Sequence, residues 1–334
     1  KKKTSGQAKS FSQVFGDKMG ELMARDRNVM VLTAAMLSGT GVVNLQPKFP
    51  DRVLDVGIAE GHAVTCSAGL ATAGIKPFVA IYSTFLQRAL DHIIHDVAVQ
   101  KLPVRFMLDR AGFVGADGPT HHGIFDLTYL RMIPNMTIMV PRNGAELRCM
   151  IEFSLNYETG PLAIRYPRAN TTELDENQIP PLEFGKAQIL RKGQNVALFA
   201  VGTMVEKAEK VADLLEKHGV FASVVNARFV KPMDEDLIVE LSREAKLVVS
   251  LEENTIQGGF GSAMLEILSK NKICNPTLQI GAPDRFIPQG SLEEQLYEAE
   301  LNVEKIYGRV LENLPEVVKK IRKKGTMVQK KRAS

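Results

Sequence analysis

Four short segments carry residue types that could do chemistry, and each sits at the end of an apolar strand. The first is Asp55-Val56-Gly57-Ile58-Ala59-Glu60-Gly61-His62-Ala63-Val64. It reads as a strand running straight into a helix, with one carboxylate on the first turn. Burying Glu60 among Ile, Ala and Val is costly unless a partner meets it. The carboxyl end of a strand, where open α/β sheets keep their ligands, is a place for such a partner. A helix-start Glu favoured by the helix dipole accounts for this segment equally well on its own.

The second segment, Tyr82-Ser83-Thr84-Phe85-Leu86-Gln87-Arg88, places a phenol, a hydroxyl, an aromatic face and a guanidinium at one strand end. A flat ring there could stack on a heteroaromatic ligand; alone, the segment reads as a core Phe85 and a surface Arg88. The third runs from Leu108 through the Gly-rich stretch Arg110-Ala111-Gly112-Phe113-Val114-Gly115-Ala116-Asp117-Gly118-Pro119-Thr120-His121-His122-Gly123. Its arginine, aspartate and two histidines suit anion binding and proton movement near neutral pH. Loops of this composition hold function more often than packing, and a purely structural loop has little need of two histidines. The fourth, Arg165-Tyr166-Pro167-Arg168, would let Arg168 close over a phosphate or carboxylate; by itself it reads as a domain-exit turn.

Other patterns fall away. Gly259-Phe260-Gly261 lacks the third glycine and the following acidic residue of a dinucleotide loop. His92 and His95, beside Asp91 and Asp96, read as a solvated or interfacial face ahead of a metal site. There is no nucleophile elbow and no P-loop.

These segments need strands to end on and helices to cover them. Phe11, Val14, Phe15, Leu22 and Met23 recur at helical spacing, which predicts a helix over 10–25. Strands are expected at 29–32, 53–58, 77–82, 104–108, 137–140 and 162–166, with helices at 60–73, 86–100 and 144–157 between them. Residues 169–192 are polar and Pro-containing and read as a linker. A second alternation follows, with strands at 196–201, 222–227, 247–251 and 277–280 and helices at 205–218, 234–245 and 261–270, then a closing helix or two. The expected fold is α/β in two domains, 1–168 and 193–324, each a mostly parallel sheet flanked by helices. A basic tail at 325–334 is expected to be disordered.

Composition bounds the class. The 334 residues suffice for two domains, and 45% apolar with 24% charged residues is a globular profile. No apolar run approaches the ~20 residues of a membrane span, so no membrane partner is expected. The formal charge of +4 comes from Lys1–Lys3 and the run beyond Lys319; without them the chain is net acidic. Nucleic-acid binding is therefore not expected. Cys66, Cys149 and Cys274 show no metal-ligand spacing and suit a reducing compartment. From its start at Lys1 instead of Met, the chain is expected to be a fragment or a processed piece.

Taken in order, these strings, with Arg228-Phe229-Val230-Lys231-Pro232 and Phe286-Ile287-Pro288-Gln289-Gly290, resemble the 1-deoxy-D-xylulose-5-phosphate synthase family of the transketolase superfamily, from about residue 10 to 320. The resemblance implies a pyrimidine-binding domain and a transketolase-type C-terminal domain. It also implies decarboxylation of pyruvate and transfer of the two-carbon unit to glyceraldehyde 3-phosphate, feeding isoprenoid, thiamine and pyridoxal synthesis. Under it, Glu60 would bond the aminopyrimidine ring of thiamine diphosphate, Phe85 would stack on that ring, and Ile58 would also touch the cofactor. Tyr82, Arg88, Arg110 and Arg168 would hold the acceptor's phosphate, His121 would assist proton transfer or orient the donor, and Asp117 would help order the closed site. A homodimer in a bacterial cytoplasm, or in a plastid stroma, is implied.

Two departures stand out. Gly61 occupies a position where the family commonly has Gln. The Gly-Asp-Gly and Asn-Asn strings that hold diphosphate and Mg2+ are missing, Ala116-Asp117-Gly118 being the nearest. No residue here is expected to ligate the metal, and an N-terminal diphosphate-binding domain or a partner chain would have to supply that half. Two rival readings stay open: a split-transketolase or ketoacid dehydrogenase β subunit, and a non-catalytic assembly chain. The first is not expected to carry Tyr-Ser-Thr-Phe-Leu-Gln-Arg or Phe-Ile-Pro-Gln-Gly. Against the second stands the joint retention of Glu60, Phe85, Arg110 and His121.

Overall fold

The computed structural model describes residues 8–171 and 174–315; Lys1–Lys3 and the tail expected at 325–334 lie outside them. In chain order the first part comprises β1 (Lys9–Ser10), α1 (Phe11–Arg25), β2 (Val29–Thr33), β3 (Val53–Asp55), α2 (Glu60–Thr72) and β4 (Lys76–Tyr82). A broken helical stretch follows: α3 (Ser83–Leu86), a 3-10 turn (Gln87–Ala89), α4 (Leu90–His92) and a π turn (Ile93–Ala98). Then come β5 (Arg105–Asp109), α5 (Asp126–Arg131), β6 (Thr137–Met139), α6 (Gly144–Leu155), β7 (Leu162–Arg165) and β8 (Asn170–Thr171). The second part holds β9 (Gln188–Arg191), β10 (Val196–Ala200), α7 (Met204–Glu216), β11 (Ala222–Asn226), β12 (Phe229–Lys231) and α8 (Glu235–Glu244). It ends with β13 (Leu247–Thr255), α9 (Phe260–Lys270), β14 (Thr277–Ala282), α10 (Leu292–Glu298) and α11 (Val303–Asn313).

Two sheets result. The larger runs β12-β6-β7-β5-β4-β2-β3, parallel except for β12. The smaller runs β14-β13-β10-β11-β9, parallel except for β9. Their central strands are mostly buried, and β10 (Val-Ala-Leu-Phe-Ala) is apolar and buried along its whole length, because helices cover both faces. α1 starts at Ser10, whose hydroxyl and Gln13 form a capping box, and it lays Phe15, Met19 and Leu22 on the larger sheet with no exposure. Burying side chains of that size stabilises by roughly 1.5–3 kcal/mol each. Arg105 is buried inside β5, where it donates to the carbonyls of Ser154 (2.9 Å) and Tyr157 (2.9 Å); a cation closes the C-terminus of α6.

Two sequence expectations change, and one element is new. The single helix at 86–100 is broken into four short pieces, which re-aim side chains between Ser83 and Ala98. The stretch expected as a linker contains β9, an antiparallel edge strand of the smaller sheet. A three-residue strand of the second part, β12, returns to pair with β6 of the larger sheet. Thus Arg-Phe-Val-Lys-Pro fastens the two parts: buried Arg228 donates to Glu146 at 2.8 Å, and Lys231 donates to the Arg131 carbonyl at 2.9 Å. Among the described residues no helix is long and apolar enough to cross a membrane.

Candidate active site

β3, β4, β5 and β7 are parallel, so the segments that leave their carboxyl ends emerge along one edge of the larger sheet. Glu60 is the first residue of α2, whose N-cap Ala59 offers no side-chain cap. Its carboxylate is almost wholly buried, at 3% exposure, and it accepts a hydrogen bond from Arg88 Nη1 at 2.7 Å. The Arg88 guanidinium also lies over the Phe85 ring, 4.9 Å from its centroid. Tyr82 stacks on Phe85 with centroids 5.8 Å apart and 17° between planes. His121 meets Phe85 edge-on at 5.3 Å. The Arg110 guanidinium sits 3.9 Å from the Tyr82 centroid. Glu60, Arg88, Phe85, Tyr82 and Arg110 therefore form one continuous file, with His121 on its flank.

The far end of the file is a guanidinium held from beneath. Arg110 has φ +60°, a left-handed conformation uncommon for a side chain of this size. It donates to the Gly39 carbonyl (2.9 Å) and to Asp109 (3.0 Å). Asp109 is fully buried; burial pushes its carboxyl up to about 6, against the pull of Arg110. Gly39 must be glycine, because a Cβ there would overlap the Tyr82 hydroxyl. Burial likewise raises the Tyr82 phenol.

Asp117 and Arg168 pair at 2.7 Å, and Arg168 also donates to the Val114 carbonyl. The second part holds this Gly-rich loop in place. Gln295, 1% exposed, bonds both the N–H and the carbonyl of Gly115. Gln289 donates to the Ala116 carbonyl at 2.6 Å. Glu253 accepts from the Phe113 N–H at 2.8 Å. Phe-Ile-Pro-Gln-Gly thus acts as the loop's support.

Two expectations need correction. The loop's two histidines do not share a role: His122 is buried, edge-on to Phe113 at 5.0 Å, with Nε2 3.1 Å from the Ile287 carbonyl. Burial lowers its pKa, which makes it a packed neutral imidazole. Arg88 does not join Arg110 and Arg168 but turns to Glu60. Ile58 is 81% exposed on the loop that begins at Gly57. His92, considered earlier for a metal face, lies against α2, where a Cβ on Gly61 would fall 2.6 Å from its ring. His95 is exposed and pairs with Asp96.

At the rejected dinucleotide loop, the N-terminus of α9 already holds a carboxyl group of the chain's own. Glu252 accepts from the Phe260 and Gly261 N–H groups, each at 2.8 Å. Glu252, Glu253 and Asp109 were not singled out from sequence, although Glu252-Glu253 breaking an apolar strand was a visible signal. A cavity of about 1350 Å3 lies behind the Gly-rich loop, between Phe113, Asn143, Thr203 and Tyr297. None of Glu60, Phe85, Arg110 or His121 lines it, so it offers no alternative seat for that chemistry.

Known proteins supply the family. A model of the transketolase pyrimidine-binding domain matches residues 7–173, and one of the transketolase C-terminal domain matches residues 185–306. The 1-deoxy-D-xylulose-5-phosphate synthase of Caldanaerobacter subterraneus is 47% identical over 308 residues, 92% of this chain and 49% of that enzyme. That of Thermosynechococcus vestitus is 51% identical over 287 residues, 85% of this chain and 45% of that enzyme. The chain thus spans about half the length of the curated relatives it matches. A solved structure described as a split gene transketolase, inactive beta4 tetramer, superposes with a TM-score of 0.83 at 31% identity, covering 91% of this chain and 98% of that one. On these matches the chain belongs to the transketolase family, as a pyrimidine-binding domain joined to a transketolase C-terminal domain.

Proposed function

We propose that the chain is the pyrimidine-side half of a 1-deoxy-D-xylulose-5-phosphate synthase, condensing pyruvate with D-glyceraldehyde 3-phosphate and releasing CO2 for isoprenoid, thiamine and pyridoxal synthesis. The observation that carries this reading is the file from buried Glu60 across Phe85 to Arg110, together with roughly 50% identity to enzymes of that name. The site suits thiamine diphosphate. A flat, nitrogen-rich cation, the Arg88 guanidinium, already fits between the Glu60 carboxylate and the Phe85 ring. When bound, the cofactor supplies the nucleophilic carbon and the electron sink that decarboxylation requires.

The chain's residues supply position and proton control. Glu60 holds a proton at the aminopyrimidine ring nitrogen, a role suited to a carboxyl shielded from water. Phe85 offers its face to that ring, and Ile58 covers it from the β3–α2 loop. Arg110 and Arg168 hold the acceptor's phosphate with Tyr82 beside them, a task for forked guanidinium donors. His121 moves a proton at the reacting carbonyl, and Asp117 orders the loop through Arg168. Diphosphate and Mg2+ belong to the complementary half, carried by an N-terminal domain or a partner chain. Pyrimidine domains pair to form a homodimer, so sedimentation of the assembled enzyme as a single copy would refute that part. The setting is a bacterial cytoplasm, with a plastid stroma as the alternative.

The test follows CO2 release from pyruvate by the assembled enzyme with thiamine diphosphate and Mg2+, with and without the aldehyde, for the natural chain and Glu60→Ala. Release that rises with the aldehyde and disappears in the variant is expected. The likeness to a split-gene transketolase chain favours a second reading. Two-carbon transfer from a ketose phosphate, with no release from pyruvate, would establish it instead.

A further inference from the structure

The strand end that carries Phe85 and the helix start that carries Glu60 are joined by one side chain, Arg88. Three observations define how. Arg88 lies on the 3-10 turn that interrupts the helical stretch after Leu86. Phe85 lies three residues earlier, in α3, and residues three apart are neighbours on a helical surface; the Arg88 guanidinium lies over the ring, 4.9 Å from its centroid. Its Nη1 reaches the Glu60 carboxylate at 2.7 Å. The two ends of the contact differ in exposure: the Arg88 side chain is 56% exposed, that of Glu60 3%. A guanidinium is planar and presents N–H donors at its edge. It therefore makes the two contacts that an aminopyrimidine ring needs here, an edge bond to the carboxylate and a face on the phenyl ring.

We propose that Arg88 is an internal competitor for the aminopyrimidine subsite. Its displacement by the cofactor ring turns it from the partner of Glu60 into an anion-binding residue. This deepens the thiamine diphosphate reading above and rests on it. Glu60 is shielded from water, and leaving it without a cation is costly; Arg88 keeps it paired. The ring and Arg88 cannot both occupy the same carboxylate edge and phenyl face. Arg88 is already half in solvent, so it leaves at little conformational cost. Once released, it gains most by pairing with an anion, and Arg110 closes the other end of the same file, with Arg168 near enough to act electrostatically on Tyr82. Cofactor and phosphate binding are then coupled through one side chain, and thermodynamic linkage makes the coupling mutual.

The experiment is calorimetric titration of the assembled enzyme with thiamine diphosphate and Mg2+, for the natural chain, Arg88→Gln and Arg88→Lys. Arg88→Gln is expected to bind the cofactor about tenfold tighter, the scale of a partly exposed ion pair plus a cation–π contact. Arg88→Lys keeps a cation for Glu60 but loses the planar group, and should fall between the two. A second titration uses sn-glycerol 3-phosphate, which has the acceptor's phosphate but no carbonyl. Saturating cofactor should tighten its binding about fivefold or more in the natural chain and leave it unchanged in Arg88→Gln. Equal or weaker cofactor binding by Arg88→Gln overturns the proposal, as does a phosphate response to cofactor that survives the substitution. If the natural chain takes up no thiamine diphosphate at all, the proposed function falls, and this inference with it.

Discussion

Two buried glutamates, each bonded at the start of a helix, have opposite fates. Glu252 lies in β13 and is fully buried, and its oxygens accept from the first N–H groups of α9. Gly259 stands so close that any Cβ would overlap that carboxylate. Glu60 is also buried, yet its partner is a half-exposed side chain. Under the proposed function, what sets Glu60 apart is a partner that can be replaced; Glu252 is spent on the chain's own backbone.

The largest expected effect separates them directly. Glu60→Ala in the assembled enzyme should lower turnover by about 10²–10⁴, the range of a positioned proton-transfer group, with little change in melting temperature. Glu252→Ala should do the reverse. It strands two buried N–H groups at about 1–3 kcal/mol each, so the melting midpoint falls while activity per folded molecule stays within a fewfold of the natural chain. Loss of both properties in both variants would end the comparison.

His121 and His122 sharpen it within one loop. His121, edge-on to Phe85 and bonded through Nδ1 to the Thr120 hydroxyl, should cost about 10²-fold in kcat/KM as Ala, with stability retained. His122 sits between Phe113 and Ile287. As Ala it should cost about 2–4 kcal/mol of stability through the cavity it leaves. Chemical denaturation beside steady-state kinetics reads both.

A smaller effect tests the turn that carries Glu60. Gly61→Gln drives a side chain into the His92 ring, since even its Cβ would lie 2.6 Å away. Overpacking of this kind costs about 1–3 kcal/mol. Most of that loss should return in Gly61→Gln/His92→Ala, which a thermal-melting double-mutant cycle would show. An unaltered penalty in the double variant would mean that His92 does not fill the space.

The placement of the four candidate segments at strand ends was legible because residue type and strand ending coincide within a few positions, as in Tyr82 to Arg88 or Arg110 to His121. The alternation of apolar runs made both sheets legible as well. What could not be read depends on groups distant in sequence. Arg88 reaches Glu60 across 28 positions, and His122 is fixed by Ile287, 165 positions away. The strand β12 has three residues, too few for a periodic signal, and it pairs outside its own domain. Glu252 looked like one more polar residue because its partners are backbone groups without a sequence signature.

The smallest expected effect concerns the protonation of Glu252 alone. Burial pushes Glu252 from an ordinary 4.5 up to about 8, outweighing the two backbone N–H bonds that favour the charged form. Between those values the folded chain keeps a proton that the unfolded chain has released, so this group's contribution to stability falls as pH rises from about 4.5 to 8. The slope reaches at most about 1.4 kcal/mol per pH unit. Above that window the contribution is constant. Glu252→Gln has no proton to lose, so the stability of the natural chain relative to this variant should decline steadily across the window and then level off. Denaturation midpoints of both proteins from pH 5 to 9 measure it. A flat difference would mean that Glu252 stays ionised throughout, with the N-terminus of α9 outweighing burial. Glu252 would then be a carboxylate fixed by two backbone N–H groups, set against Glu60 with its half-exposed side-chain partner.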